Sequence, residues 1–253
     1  EIMLDEFKAE GPTVLAAVGD SPRFDVEPDF CRGEPDFCHA IIGRTVQDLK
    51  THPIAKAQPW LRALSTMTLR IKPGHEEANM GDISVEEFRA IYDLLQAQAH
   101  AGDATAQQQL GVIDYRGLPE AGIEADHVAA AHWFSKAAEA GLASAQCNFG
   151  LLHLLGHGVP TDDRIAAHWL SRSADAGVAA AQNHYGRLLQ DGRGVPKDLT
   201  LAVQYFQKAA DQGELDAMVN LGAALLVGRG CAKDETKARF LLSVAASKGD
   251  KDA

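Results

Sequence analysis

Glycines in this chain fall on ladders that share one spacing. Gly150, Gly186 and Gly222 stand 36 residues apart, and so do Gly141, Gly177, Gly213 and Gly249. Gly156, Gly192 and Gly228 keep the same interval, shadowed two residues later by Gly158, Gly194 and Gly230. Several independent ladders with a common period predict stacked supersecondary units, and helical patterning within the unit predicts an α-solenoid. Such a stack presents a long surface, which predicts binding of another protein and no catalysis.

One unit shows why the pattern is helical. From Ala145 to Leu155 apolar residues recur at helical spacing (Phe149, Leu152), and Gly156 ends the run. From about Asp163 to Ala176, Ile165, Ala166, Trp169, Leu170 and Ala174 share a face, closed by Gly177. Glycine tolerates the left-handed conformation that ends helices, and the short GHGVP link makes the two helices antiparallel neighbours. Gly150 stands mid-helix, where glycine costs ~1 kcal/mol relative to alanine. Its recurrence at Gly111, Gly186 and Gly222 predicts close approach of the paired helix. The series Trp133, Trp169, Tyr205 and Leu241 predicts one large apolar plug per repeat, matched by small residues at Ala138, Ala174, Ala210 and Ala246.

These residues carry a family resemblance. The order A-x-x-x-x-G, G-x-G-V-x-x-D, A-x-x-W/Y and A-A-x-x-G resembles the Sel-one-like repeat (SLR), a relative of the tetratricopeptide repeat. Gly156, Gly158, Val159 and Asp162 match its middle signature, as do Gly192, Gly194, Val195 and Asp198. Gly228, Gly230 and Asp234 match with Cys231 in place of valine. The first copy departs. Gly117 and Asp126 match, but three extra residues lie before Gly122, in an interhelical loop where an insertion costs little.

The resemblance implies a mainly all-α fold, a right-handed α-α solenoid with repeats over about 103–141, 142–177, 178–213 and 214–249. Ser84 to Glu87 reads as a capping box, opening a run with Phe88, Ile91, Tyr92 and Leu95. Gly102 lies 39 residues before Gly141, so 84–102 takes the place of a second helix and is expected to cap the stack. The solenoid domain is then 84–253, preceded by a small helical or α+β module over 1–83. That module holds seven of the ten prolines.

Family members resemble adaptors in general, and one bacterial group serves as immunity proteins for secreted lipase toxins of the type VI system. The leading expectation is a periplasmic immunity protein that binds a phospholipase-type effector. The alternative is an SLR adaptor in envelope assembly or signalling, with a cytoplasmic location also open. An enzyme is a third reading, because some cysteine-rich SLR proteins are linked to β-lactam binding. Those carry a cysteine pair per repeat, and this chain does not.

In tetratricopeptide-like stacks the first helix of each pair lines the concave side. The resemblance therefore implies a protein-binding face with Gln108, Val112 and Tyr115, then Cys147, Leu151 and Leu154. Asn183, Arg187 and Gln190 continue it, followed by Val219, Ala223 and Leu226. The other side of that expectation is that part of this set packs on the next repeat.

Charge narrows the partner. A net charge of −11 and a pI near 5.3 argue against nucleic acid and anionic membrane surfaces. No run approaches twenty apolar residues, so membrane insertion is not expected. The chain opens on Glu1, which leaves a removed leader open. Cys31 and Cys38 sit in a tandem EPDFC duplication and read either as a short disulfide loop, which implies an extracytoplasmic location, or as two free thiols. No catalytic, cofactor or metal set is expected. Gly19-Asp20-Ser21 lacks the late Asp-x-x-His of GDS-type esterases, and Asn79 stands where a zincin after His75-Glu76 needs histidine. A zinc site from Cys31, Cys38 and His39 lacks a fourth ligand. His132, His168 and Gln204 share one repeat position and read as a solvated row.

Overall fold

The computed structural model describes residues 85–249. The expected module over 1–83, its cysteines Cys31 and Cys38, and Ser84 of the capping box lie outside the described residues. All regular structure described is helical: α1 (Val85–His100), α2 (Ala104–Arg116), α3 (His127–Glu139), α4 (Ala143–Leu155) and α5 (Asp163–Asp175). Then come α6 (Ala179–Asp191), α7 (Leu199–Asp211), α8 (Leu215–Val227) and α9 (Glu235–Gly249). A 3-10 turn over Pro119–Ala121 lies between α2 and α3. These residues divide into two compact units, 85–181 and 182–249.

Aspartates and glycines set the helix ends. Asp126 accepts from the backbone N–H of Val128 and Ala129, both at 2.9 Å. Asp162 does the same for Arg164 and Ile165, Asp198 for Leu201, and Asp234 for Lys237. Each satisfies N–H groups that a helix start leaves unpaired. The same aspartates donate their own N–H back to the preceding helix: Asp162 to the His153 carbonyl (3.0 Å), Asp198 to Leu189 (2.9 Å) and Asp234 to Leu225 (3.0 Å). One residue type thus starts the second helix and pins it to the first, which explains why the middle signature ends in aspartate.

In the 85–181 unit each helix packs on the next, α1 on α2 through α4 on α5. The helices meet at glycine. A Cβ on Gly111 would stand 2.6 Å from the Phe134 ring, and one on Gly150 would stand 2.8 Å from Leu170 Cγ and 3.2 Å from the Ala166 carbonyl. The unit 182–249 repeats the device. A Cβ on Gly186 would stand 2.7 Å from the Phe206 ring, and one on Gly222 would stand 2.9 Å from Leu242 Cγ. The propensity cost of a helical glycine is offset by a large side chain laid directly on the backbone.

The residue that fills this space is one position beyond the expected plug. Phe134, Leu170 and Phe206 are fully buried, whereas Trp133 and Tyr205 keep 6% and 8% exposure and Trp169 is half-buried. Trp133, Trp169 and Tyr205 instead roof the core, each with a cation from its own next turn over the ring. Lys136 lies 5.5 Å from the Trp133 centroid, Arg172 5.1 Å from Trp169 and Lys208 4.9 Å from Tyr205.

Buried glutamines add a second bond at helix ends that glycine already closes. Gln107 Nε2 donates to the Ala99 carbonyl at 3.0 Å, and Gln146 Nε2 donates to the Ala138 carbonyl at 3.2 Å. Both acceptors are carbonyls in the last turn of a helix, and each also accepts from the N–H of the glycine that follows, Gly102 at 3.1 Å and Gly141 at 3.0 Å. Ala99 therefore occupies in α1 the place that Ala138 occupies in α3. The fit of α1 depends on the inserted residues: Arg89 Nε donates to the Ala121 carbonyl in the extra turn at 3.2 Å. Tyr92 Oη donates to the buried Asp114 carboxylate at 2.6 Å.

Candidate protein-binding face

The residues expected from sequence to form a binding face lie on α2, α4, α6 and α8, the first helices of the pairs. In the unit 85–181, Val112, Tyr115, Cys147, Leu151 and Leu154 are buried, and Gln108 is half-buried. Tyr115 already engages the following repeat, its hydroxyl 2.7 Å from His157 Nδ1. Gln108 differs. Its Oε1 is enclosed and accepts no hydrogen bond, which leaves an acceptor on this helix unmatched.

The unit 182–249 is more open along the same positions. Asn183 is buried and spends its Oδ1 on Asn220 Nδ2 at 2.8 Å. That bond joins α6 to α8, and α6 also carries Arg187 and Gln190, both half-buried. Val219 is 41% exposed, and Ala223 and Leu226 are half-buried. Cation, amide and aliphatic groups thus stand on two bonded helices, a mixture that suits a protein partner.

The structural set from sequence lands as stated above: Gly150, Gly186 and Gly222 at helix contacts, Trp133, Trp169 and Tyr205 over the core. Of the remaining cysteines, Cys147 is buried and Cys231 half-buried, both as thiols. Burial raises the Cys231 thiol above its ordinary value, with Lys237 opposing, so it is poorly ionised near neutrality. His132 and His168 are exposed and meet their neighbouring tryptophans edge-on at 5.1 and 5.2 Å. No group of three or more metal-ligating side chains is present among the described residues. No described helix is long and apolar enough to cross a membrane.

A second cluster escaped sequence reasoning. Tyr115, His127 and His157 form a stack of three rings. The Tyr115 and His127 centroids are 4.6 Å apart, nearly parallel, and those of His127 and His157 are 5.1 Å apart at 18°. The residues are far apart in sequence and stand at three different repeat positions, so no periodicity pointed to them.

Comparison with known proteins agrees with this anatomy. The Sel1 repeat family matches residues 104–142, 143–178, 179–214 and 215–250, one residue later than the expected bounds. Among solved structures, the c5321 protective antigen of uropathogenic Escherichia coli, which displays an SLR fold, superposes with a TM-score of 0.58 at 34% identity. The match covers 62% of this chain and 33% of that one. A Sel1 repeat protein of Oxalobacter formigenes superposes with a TM-score of 0.59 at 30% identity, covering 64% of this chain and 63% of the other. This chain therefore spans a third of the first relative and somewhat under two thirds of the second. No curated protein sequence matches it. Sel1 repeats generally mediate contacts between proteins, and proteins built from them are typically non-enzymatic scaffolds. With the family matching more than half of its length, on repeats whose caps, glycine contacts and helix order follow one plan, the chain belongs to the Sel1 repeat family.

Proposed function

We propose that this protein is a non-catalytic binder whose first-helix face receives another protein, and that the partner is a secreted phospholipase-type toxin which it neutralises in the periplasm. The binding reading rests on one observation above all. The Asn183–Asn220 bond joins α6, which carries Arg187 and Gln190, to α8, which carries the exposed Val219, so polar and apolar groups stand on two bonded helices. The family supports the binding role. The net charge of −11 favours a partner with a basic surface. The toxin reading extends this through the group of SLR proteins that act as immunity proteins.

A pull-down from the native host's envelope fraction, with the purified chain as bait, tests both levels. One stoichiometric lipase, whose activity the chain suppresses, is the expected result. Several envelope proteins would favour the adaptor reading and end the toxin one. Val219→Asp serves as the surface control: its side chain is exposed, so the variant should melt within ~0.5 kcal/mol of the parent. Undiminished capture by a Val219→Asp, Arg187→Glu double variant would move the binding site off this face.

A further inference from the structure

The joint between the first two repeats is built differently from the others. His127 is the first residue of α3, and His157 lies in the loop after α4, between Gly156 and Gly158. The two imidazoles stack at 5.1 Å, and Tyr115, near the end of α2, packs on His127 and shares a 2.7 Å hydrogen bond with His157. The loop backbone lies against the same helix start, because a Cβ on Gly158 would run into the His127 carbonyl. Gly158 takes φ +72, a conformation that favours glycine. One repeat later the same two positions hold Asp163 and Arg193, and after that Leu199 and Arg229. Only the first joint pairs two groups that both gain charge in mildly acidic solution.

We propose that this joint is proton-sensitive: closed while both imidazoles are neutral, and loosened when protons place two positive rings face to face. The loop 156–162 then lifts from the start of α3. Three arguments support this. Protonated rings at this separation repel. A cation at a helix start opposes the positive end of the helix dipole, and His127 is the first residue of α3. Burial, and then the charge of His127, hold His157 below the ordinary histidine value.

The other charged groups around the joint are accounted for. Arg116 follows Tyr115 on α2. Asp126 precedes His127, but its carboxylate is bonded to the N–H groups of Val128 and Ala129. At the roots of the loop stand His153, with Nδ1 on the Pro160 carbonyl at 3.1 Å, and Asp162, bonded to the N–H groups of Arg164 and Ile165. A histidine with a lowered folded-state value binds protons less readily than in the unfolded chain. Its contribution to stability is therefore present above about pH 6.5 and lost as pH falls through that range.

Amide exchange of the whole chain, corrected for the intrinsic rate and read by mass spectrometry, tests the proposal. Between about pH 7.5 and about pH 5.5, protection of 156–162 should fall about tenfold more than protection of the matching loop 192–198. The double variant His127→Asp, His157→Arg, which installs the pair found at 163 and 193, should remove that difference. Equal losses in the two loops of the parent, or an unchanged loss in the double variant, overturn the proposal. If the double variant does not fold, an NMR titration of the parent's imidazoles decides. His157 titrating below the usual ~6.5 supports the joint, and titration at or above it overturns the joint.

Discussion

At the scale of single residues, the glycine ladders were legible because contact forces the mid-helix set and a positive φ favours glycine in the helix-end set. Gly150→Ala gains ~1 kcal/mol of helix propensity, but its methyl group meets Leu170 and the Ala166 carbonyl, and backbone cannot give way. The overpacking should win, for a net loss of about 1–2 kcal/mol in urea unfolding. Gly177→Ala is the informative contrast. Nothing lies within 4 Å of its Cβ, and only φ +95 opposes it. The Phe134, Leu170, Phe206 series was less legible, because a bulky neighbour stands beside each of its members and sequence reasoning favours the larger aromatic. In the first three repeats the side chain that lies on a glycine is the one sealed from water, whereas in the fourth Leu242 lies on Gly222 half-buried and Leu241 is buried. Phe206→Ala should cost ~3–5 kcal/mol, and Trp169→Ala, half-buried beneath Arg172, should cost less. Equal losses in paired denaturant melts would return the plug to the tryptophan position.

At the scale of elements, α1 could be read as a cap from spacing alone, since Gly102 precedes Gly141 by the length of the longer first repeat. Its anchorage could not. An aspartate inside a helical pattern reads as part of a solvated face, yet Asp114 is buried beneath Tyr92. Burial raises its carboxyl above the ordinary carboxylate value, and Asp126 adds to this, while hydrogen bonds from Tyr92 and Trp133 oppose it. The folded state then binds this proton more readily than the unfolded chain. The associated stability is complete below about pH 4 and is lost as pH rises through the folded-state value. Asp114→Asn carries no such dependence. The difference in Tm, parent minus variant, should therefore move in the parent's favour as pH falls from neutrality, and a constant difference would show Asp114 to be ordinary. The buried glutamines were equally hidden, since Gln107 and Gln146 look like solvent-facing amides until the preceding helix end lies beneath them.

At the scale of the whole molecule, the family and the order of helices came from the period, but the accessible surface did not. Helical phase places Cys147, Asn183 and Val219 at one repeat position, yet the first two are buried and the third is exposed. Exposure depends on what stacks over a position, which periodicity does not encode. Charge adds a bulk property. The net charge of −11 at neutrality shrinks towards zero near the pI of 5.3. Solubility in low salt should pass through a minimum there, visible as a maximum in light scattering that added salt shifts. Finally, the bond between Arg89 and the Ala121 carbonyl gives the first repeat a mark that the others lack. Tandem arrays grow and shrink when recombination slips by whole units. A slip that duplicates or deletes a later 36-residue unit leaves this lock intact, while one that removes the first unit takes away the cap's docking point. An array of this kind is free to change length downstream and fixed at its origin, so its descendants should differ in how many repeats they carry and agree on where counting starts.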